Sequence, residues 1–183
     1  ARKVFNKFDP DMKMTVLIED GAHVKPGDIA FVVEGRVRSL LQTERLMLNI
    51  MQRMSGIATM THRYVERVKG TGCHILDTRK TTPGMRILEK QAVKIGGGMN
   101  HRIGLFDMIL LKDNHIDFAG GIANAITRCH EYLREKGLDL KIEIEVRDFD
   151  ELQQVLDQGG VDRIMLDNFT PADTKKAVGI INH

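Results

Sequence analysis

The chain has 183 residues, 42% apolar and 28% charged, with a formal net charge of +2. That length accommodates one sizeable core, or a core with a small accessory domain, and the near balance of charge gives no bulk electrostatic case for nucleic-acid binding. The two cysteines, Cys73 and Cys129, lie far apart and outside any C-x-x-C pair; this argues against a disulfide scaffold and suits a reducing, cytoplasmic compartment, and no apolar run is long enough to span a bilayer.

The opening "ARKVFNKF" predicts a helix entered without a cap, and the close, "AVGIINH", reads as the start of a strand. Such abrupt ends suggest a fragment of a longer chain. Residues 15–38 predict hairpins, short β-rich runs broken at Asp20-Gly21, Pro26-Gly27 and Glu34-Gly35. Within them "DGAHVKPGD" resembles a turn of biotinyl or lipoyl carrier domains. The "MKM" at 12–14 precedes that turn, whereas a carrier places its modified lysine after it, so an ordinary small sheet is the better reading.

Residues 43–68 carry apolar side chains at three- and four-residue spacing, from Met47, Ile50 and Met54 to Val65 and Val68, and predict a helix. Ser39 or Thr43 offers a cap, and Gly56 in mid-pattern suggests a bend or close packing. Thereafter strands and helices alternate. The expected strands are "CHILD" (73–77), "DMILL" (107–111), "KIEIEV" (141–146) and "RIML" (163–166). The expected helices run from Arg86 to Ile95, Ile122 to Lys136, Asp150 to Asp157, and onward from Ala172, with Pro171 in the first turn. Strand–helix units in series imply a parallel sheet, either doubly wound or a β/α barrel.

Every one of those strands delivers polar groups at its carboxyl end: Thr78-Arg79-Lys80, then Lys112, then Glu145, then Asp167. In barrels and in open α/β sheets alike, the ligand lies at that end, so Arg79, Lys80, Lys112, Glu145 and Asp167 are expected around one pocket. The loop "GGGMNHR" (96–102) adds His101 and Arg102, and its glycines are expected to let backbone approach a ligand closely. Two unit charges about 4 Å apart repel by roughly 4 kcal/mol at an effective dielectric near 20. A cluster of this kind therefore requires an anion among its members. Guanidinium groups match carboxylate or phosphate oxygens in pairs. Glu145 and Asp167 oppose such an anion and need another role, either holding a divalent cation through water or facing a developing positive charge. Glycosyl transfer from a phosphorylated sugar fits, because its oxocarbenium-like centre is positive. No nucleophile elbow and no zinc signature is present.

Together "TERLMLNIMQRMSGIAT", "DTRKTTPGMRILEKQAVKIGGGMNHR", "LLKDNH", "IEIEV" and "IMLDNFTP" closely resemble the quinolinate phosphoribosyltransferase family over essentially the whole chain. The resemblance implies an α/β fold, an incomplete β/α barrel (43–183) preceded by part of a small α/β sandwich domain (1–42). It implies a reaction in which quinolinate and phosphoribosyl pyrophosphate give nicotinate mononucleotide, pyrophosphate and CO2, with Mg2+. By resemblance, Arg79, His101, Arg102 and Lys112 line the quinolinate site beside Thr78. Arg45 reaches into the neighbouring subunit of a homodimer or larger assembly. Lys80, Lys112, Glu145 and Asp167 face phosphoribosyl pyrophosphate, with Glu145 and Asp167 nearest the metal and Lys112, Glu145 and Asp167 as the catalytic set. The family's phosphate-binding loop and last barrel strands are expected after residue 183, and an opening segment before residue 1, so the bare chain is expected to turn over little. The alternative within the enzyme class is a phosphoribosyltransferase for nicotinate or another anionic ring, without decarboxylation; neither nucleic acid nor membrane is an expected partner.

Overall fold

The computed structural model describes residues 1–182, and the chain divides into two compact units, Ala1–Ile103 and Gly104 onward. The first unit contains α1 (Arg2–Phe8), β1 (Lys13–Val16), β2 (Phe31–Glu34), α2 (Val37–Val68) and α3 (Arg86–Ile95). β1 and β2 pair antiparallel, with Met14 opposite Val33. Their alternate residues are half-buried, the period-two pattern of a sheet with one face covered. That face packs with buried Phe5, Met12 and Met47, which draw α1 and α2 onto the pair.

A single buried carboxylate ties these elements together. Asp9, just past α1, accepts from Arg36 Nε at 2.9 Å, Ser39 Oγ at 2.6 Å and the Asp11 amide at 3.2 Å. These contacts correct two expectations. α2 begins at Val37, six residues before the expected start at Thr43, and its N-cap is Arg36, with Ser39 inside the helix. Its first turns are held by Asp9 rather than by an apolar stripe, so apolar periodicity does not report them. The expected set of hairpins over 15–38 is one strand pair; the turn at Pro26-Gly27 forms, with the Lys25 amide donating to Asp28 at 2.7 Å, but the residues around it stay exposed and unpaired into strands. Gly56 marks no close packing, since a Cβ there would meet nothing within 4 Å. The boundary expected between residues 42 and 43 falls inside α2.

The expected strand at 73–77 is reduced to one parallel bridge, Leu76 to Met99. The Met99 amide donates to Ile75 O at 2.8 Å and the Asp77 amide to Met99 O at 3.2 Å. Leu76 and Met99 remain 43% and 48% exposed, too little burial for a longer ladder. A Cβ at Gly96 would lie 2.4 Å from Ala58 O, and one at Gly98 would lie 2.8 Å from Thr61 Cγ2. These glycines let the loop press against α2.

The second unit contains β3 (Ile109–Leu111), α4 (Asp113–Ala119), α5 (Ile122–Lys136), β4 (Ile142–Val146), α6 (Phe149–Gln158), β5 (Arg163–Leu166) and α7 (Pro171–Ile181). The strands form a three-stranded parallel sheet in chain order, β3-β4-β5. Parallel strands in that order with intervening helices make a section of a β/α barrel, incomplete among the described residues. β4 is its centre. Ile142, Ile144 and Val146 are buried with Ile126, Leu152 and Val155, while Glu143 and Glu145 point the other way. Helix ends follow local rules: Asp148 accepts from the Glu151 amide at 2.8 Å to cap α6, and Gly137, at φ 62°, closes α5.

Two further expectations are corrected here. "DNHIDFA", expected as loop, is the short helix α4, invisible to periodicity because it buries only Ile116. The terminal "AVGII" continues α7 instead of starting a strand. Thr170 caps α7 at the Asp173 amide, 3.2 Å away, Pro171 fills the first turn and Ala177 is its buried anchor; the β-branched residues merely imitate a strand.

Two measurements test this account. Arg36, with Ser39, holds the Asp9 carboxyl down to about 2 from an ordinary 3.8. A folded value below the unfolded one means the ionised form stabilises the fold above about pH 4, and that stability is lost as pH falls toward 2. Asp9→Asn should abolish this part of the acid dependence in urea titrations; an unchanged pH profile would refute the assignment. Gly96→Ala should cost about 1–3 kcal/mol by overpacking against the Ala58 carbonyl, read as a lower urea midpoint; wild-type stability would show that the loop packs elsewhere.

Candidate functional site

In the first unit the cations read from the sequence lie on two segments, Thr78–Lys80 and His101–Arg102. Both are fixed through Asp77. One of its oxygens accepts from the Lys90 ammonium and from the His101 amide at 2.9 Å; the other accepts from Asn100 Nδ2 at 2.6 Å. Lys90 Nζ also donates to the His101 carbonyl at 3.1 Å. His101 is buried and Arg102 half-buried.

The loop after Asp77 is pinned along its length. Thr78 Oγ1 accepts from the Lys80 amide at 3.0 Å. Arg86 Nε donates to Thr81 Oγ1 at 3.2 Å. Glu89, on α3, accepts from the Thr82 amide at 3.1 Å and from Arg53 of α2 at 2.9 Å. Burial is the largest influence on Glu89 and raises its pKa, but the Thr82 and Arg53 bonds together outweigh it, so the carboxyl lies below its usual range. Within this rigid loop Arg79 is half-buried, and its Nε is buried without a hydrogen-bond partner among the described residues. An orphaned guanidinium N–H is costly, and a carboxylate or phosphate oxygen would satisfy it. Lys80 is exposed, as is Arg45 on the surface of α2.

In the second unit the register brings Lys112, Glu145 and Asp167 to one edge. Leu111 lies opposite Ile144 and Val146 opposite Leu166, so the carboxyl ends of three adjacent strands are nearly level. Lys112 Nζ lies 3.1 Å from Glu145 Oε2, with the lysine side chain 46% and the glutamate side chain 14% exposed. The Lys112 amide donates to His115 Nδ1 at 2.9 Å, which fixes the strand-to-helix turn and puts the His115 proton on Nε2. Asp167 is held by its amide bond to Val146 O at 2.9 Å and accepts from Asn168 Nδ2 at 3.0 Å. Asn168 adopts φ 56°, a left-handed conformation that asparagine tolerates better than most residues. One cation and two carboxylates on one edge suit a substrate that carries both phosphate oxygens and a centre that turns positive.

Sequence reasoning missed the supports: Lys90, Asn100, Glu89, Arg53 and His115. Lys90 and Glu89 sit beside the apolar stripe of α3, where charged residues ordinarily face solvent, and no spacing rule separates a buried ion pair from a solvated one.

The family model for the quinolinate phosphoribosyl transferase N-terminal domain matches residues 1–55, and the model for its C-terminal domain matches residues 57–183. A chloroplastic nicotinate-nucleotide pyrophosphorylase (carboxylating) of Arabidopsis thaliana is 45% identical over 173 residues, covering 92% of this chain and 49% of the relative. A probable nicotinate-nucleotide pyrophosphorylase (carboxylating) of Synechocystis is 40% identical over 181 residues, covering 99% of this chain and 60% of the relative. The solved nicotinate-nucleotide pyrophosphorylase of Francisella tularensis superposes with a TM-score of 0.90 at 42% identity, covering 99% of this chain and 63% of that one. The chain thus spans about half the length of the plant relative. With both domain models matched in order and the fold shared at this identity, the chain belongs to the quinolinate phosphoribosyl transferase family.

Proposed function

We propose that the protein transfers the phosphoribosyl group of phosphoribosyl pyrophosphate to the ring nitrogen of quinolinate, with loss of CO2, giving nicotinate mononucleotide and pyrophosphate. One observation carries the reading: Arg79 presents a buried Nε–H with no partner among the described residues, from a loop whose next residues are held by Arg86 and Glu89. Quinolinate supplies two adjacent carboxylates, and paired anions on a small ring are what Arg79, His101 and Arg102, with Thr78 beside them, would receive. Lys80, Lys112, Glu145 and Asp167 would take phosphoribosyl pyrophosphate, and Lys112 is assigned to quinolinate as well. The name of these relatives, nicotinate-nucleotide pyrophosphorylase (carboxylating), describes the same reaction written in reverse.

The chemistry follows from these groups. The ring nitrogen forms a bond to the anomeric carbon as the bond to pyrophosphate oxygen breaks. Glu145 and Asp167 favour the positive charge on the sugar. The N-ribosylated ring is a pyridinium, so it accepts the electron pair when the carboxylate beside nitrogen leaves as CO2, and a proton from solvent fills the vacated ring carbon. Mg2+ is part of the proposal. Among the described residues no group of three or more His, Cys, Asp or Glu is arranged to hold a metal. Two carboxylates on one edge still fit an ion that keeps most of its waters and is bound mainly by substrate phosphates. When bound, Mg2+ neutralises pyrophosphate as leaving group; Glu145 and Asp167 would hold it through water.

A homodimer or larger homo-oligomer is proposed as the working form, with Arg45 of one subunit reaching the quinolinate held by another. In support, exposed Leu41 and Leu48 flank Arg45 at four- and three-residue spacing on one face of α2, 64% and 36% accessible. A cytoplasmic location is also proposed, supported by the free, exposed thiol of Cys73; among the described residues no helix is long and apolar enough to cross a membrane.

The intact protein, given quinolinate, phosphoribosyl pyrophosphate and Mg2+, should release one CO2 for each nicotinate mononucleotide formed. Turnover of nicotinate without CO2 would replace this reading by the non-decarboxylating one. Glu145→Gln should lower kcat with quinolinate affinity nearly kept, and mixing its subunits with Arg45→Ala subunits should raise turnover above the sum of the two variants' residual rates. Additive residual rates on mixing would remove Arg45 from the neighbouring site.

A further inference from the structure

The Lys90–Asp77 pair invites a question that its energetics sharpen. Both side chains are almost wholly buried, 4% and 8% exposed. Taking two charges out of water costs more than their attraction usually returns, and apolar residues of similar volume often stabilise as well or better. A buried pair of this kind is weak evidence for stability and better evidence for geometry. Its hydrogen bonds join three separate pieces of chain. Lys90 comes from α3, Asp77 from the residue before Thr78-Arg79, and Asn100 and His101 from the glycine loop. Asn100 Nδ2 closes the set, donating to Asp77 and also to the Lys90 carbonyl at 3.0 Å. The peptide groups of His101 are gripped on both sides, its N–H by Asp77 and its C=O by Lys90.

We propose that Lys90 and Asp77, closed by Asn100, form a positioning clamp that fixes the offset between the Thr78-Arg79 segment and the His101-Arg102 segment, and so matches them to the two adjacent carboxylates of quinolinate. The inference rests on the reading that these segments bind quinolinate. Lys90 touches no substrate; it acts through the backbone of His101. Arg79 begins two residues after Asp77 and Arg102 one residue after His101, so a slip at the clamp moves both guanidinium groups. A displacement of about 1 Å in such a site costs up to a hundredfold in rate or affinity.

The test uses the intact protein carrying Lys90→Met together with Asp77→Asn, which removes both charges and leaves no buried ion unpaired. The melting temperature should stay within about 5 °C of wild type. The KM for quinolinate should rise about tenfold or more while that for phosphoribosyl pyrophosphate stays within about twofold. Hydrogen exchange at the His101 amide should quicken by at least about tenfold, with exchange in α2 unchanged. A folded double variant with wild-type quinolinate KM overturns the proposal, whatever its exchange rate. If the double variant does not fold, Asn100→Ala decides, because it keeps the ion pair and removes only the clasp; the quinolinate KM should rise about threefold or more, and no rise overturns the clamp. Failure of the underlying functional reading looks different: the wild-type protein then releases no quinolinate-dependent CO2 although His101 exchange still quickens in the variants, and the clamp loses its proposed ligand.

Discussion

The Asp77 carboxylate governs the first unit. It is buried and accepts from an ammonium, an amide side chain and a backbone N–H, so that both of its oxygens are engaged. A charge placed there without those donors would cost several kcal/mol, so the surrounding chain has little freedom. α3 must present Lys90, the glycine loop must present Asn100 and His101, and the segment after residue 77 must leave in one direction. The Leu76–Met99 bridge is the only ladder at this point among the described residues; ion pairing replaces the strand that the alternation of elements leads one to expect. A second carboxylate, Glu89, repeats the arrangement one residue earlier on α3, tying the loop's far side to α2 through Arg53. The loop carrying Arg79 is thus held at one end by Asp77, paired with Lys90 of α3, and at the other by Glu89, the preceding residue of the same helix.

The second unit solves its problem with a strand. β4 alternates Ile142, Ile144 and Val146 with Glu143 and Glu145, so one face builds the core while the other carries acids. Glu143, 1% exposed, is answered by Arg163 of β5 at 3.1 Å, and Glu145 by Lys112, the residue that follows β3, at 3.1 Å. The central strand is therefore charged on one face only because its neighbours on both sides supply cations in register. The acid nearer the strand's carboxyl end remains partly accessible, and the deeper one does not. That gradient separates a structural carboxylate from one available to chemistry.

Much of this was readable beforehand. The bounds of α3, α5 and β5 coincide with those expected from the alternation of strand and helix patterns in the sequence. The same reasoning fails where polar bonds, not apolar area, fix the backbone. Asp9 extends α2 backward by six residues, and α4 is too short to show a period. The terminal β-branched residues of α7 favour a strand locally and yield to its capped start. For the candidate site, Lys112, Glu145 and Asp167 lie together at one sheet edge as chain order predicts, because the residue after a strand follows where that strand ends. The members of the clamp were illegible: a lysine beside a glutamate in "LEKQAVK" looks like any solvated helix face, and only burial distinguishes it.

The three-sided confinement of Gly98 reaches beyond this molecule. A methyl group there would meet Thr61 Cγ2 at 2.8 Å, Val93 Cγ1 at 2.9 Å and the Ile75 carbonyl at 3.2 Å. Two of those walls are side chains that can shrink, and the third is backbone that cannot. A lineage that places alanine at position 98 is therefore expected to carry smaller residues at 61 and 93 as well, although those two sites, distant in sequence, can shrink without it.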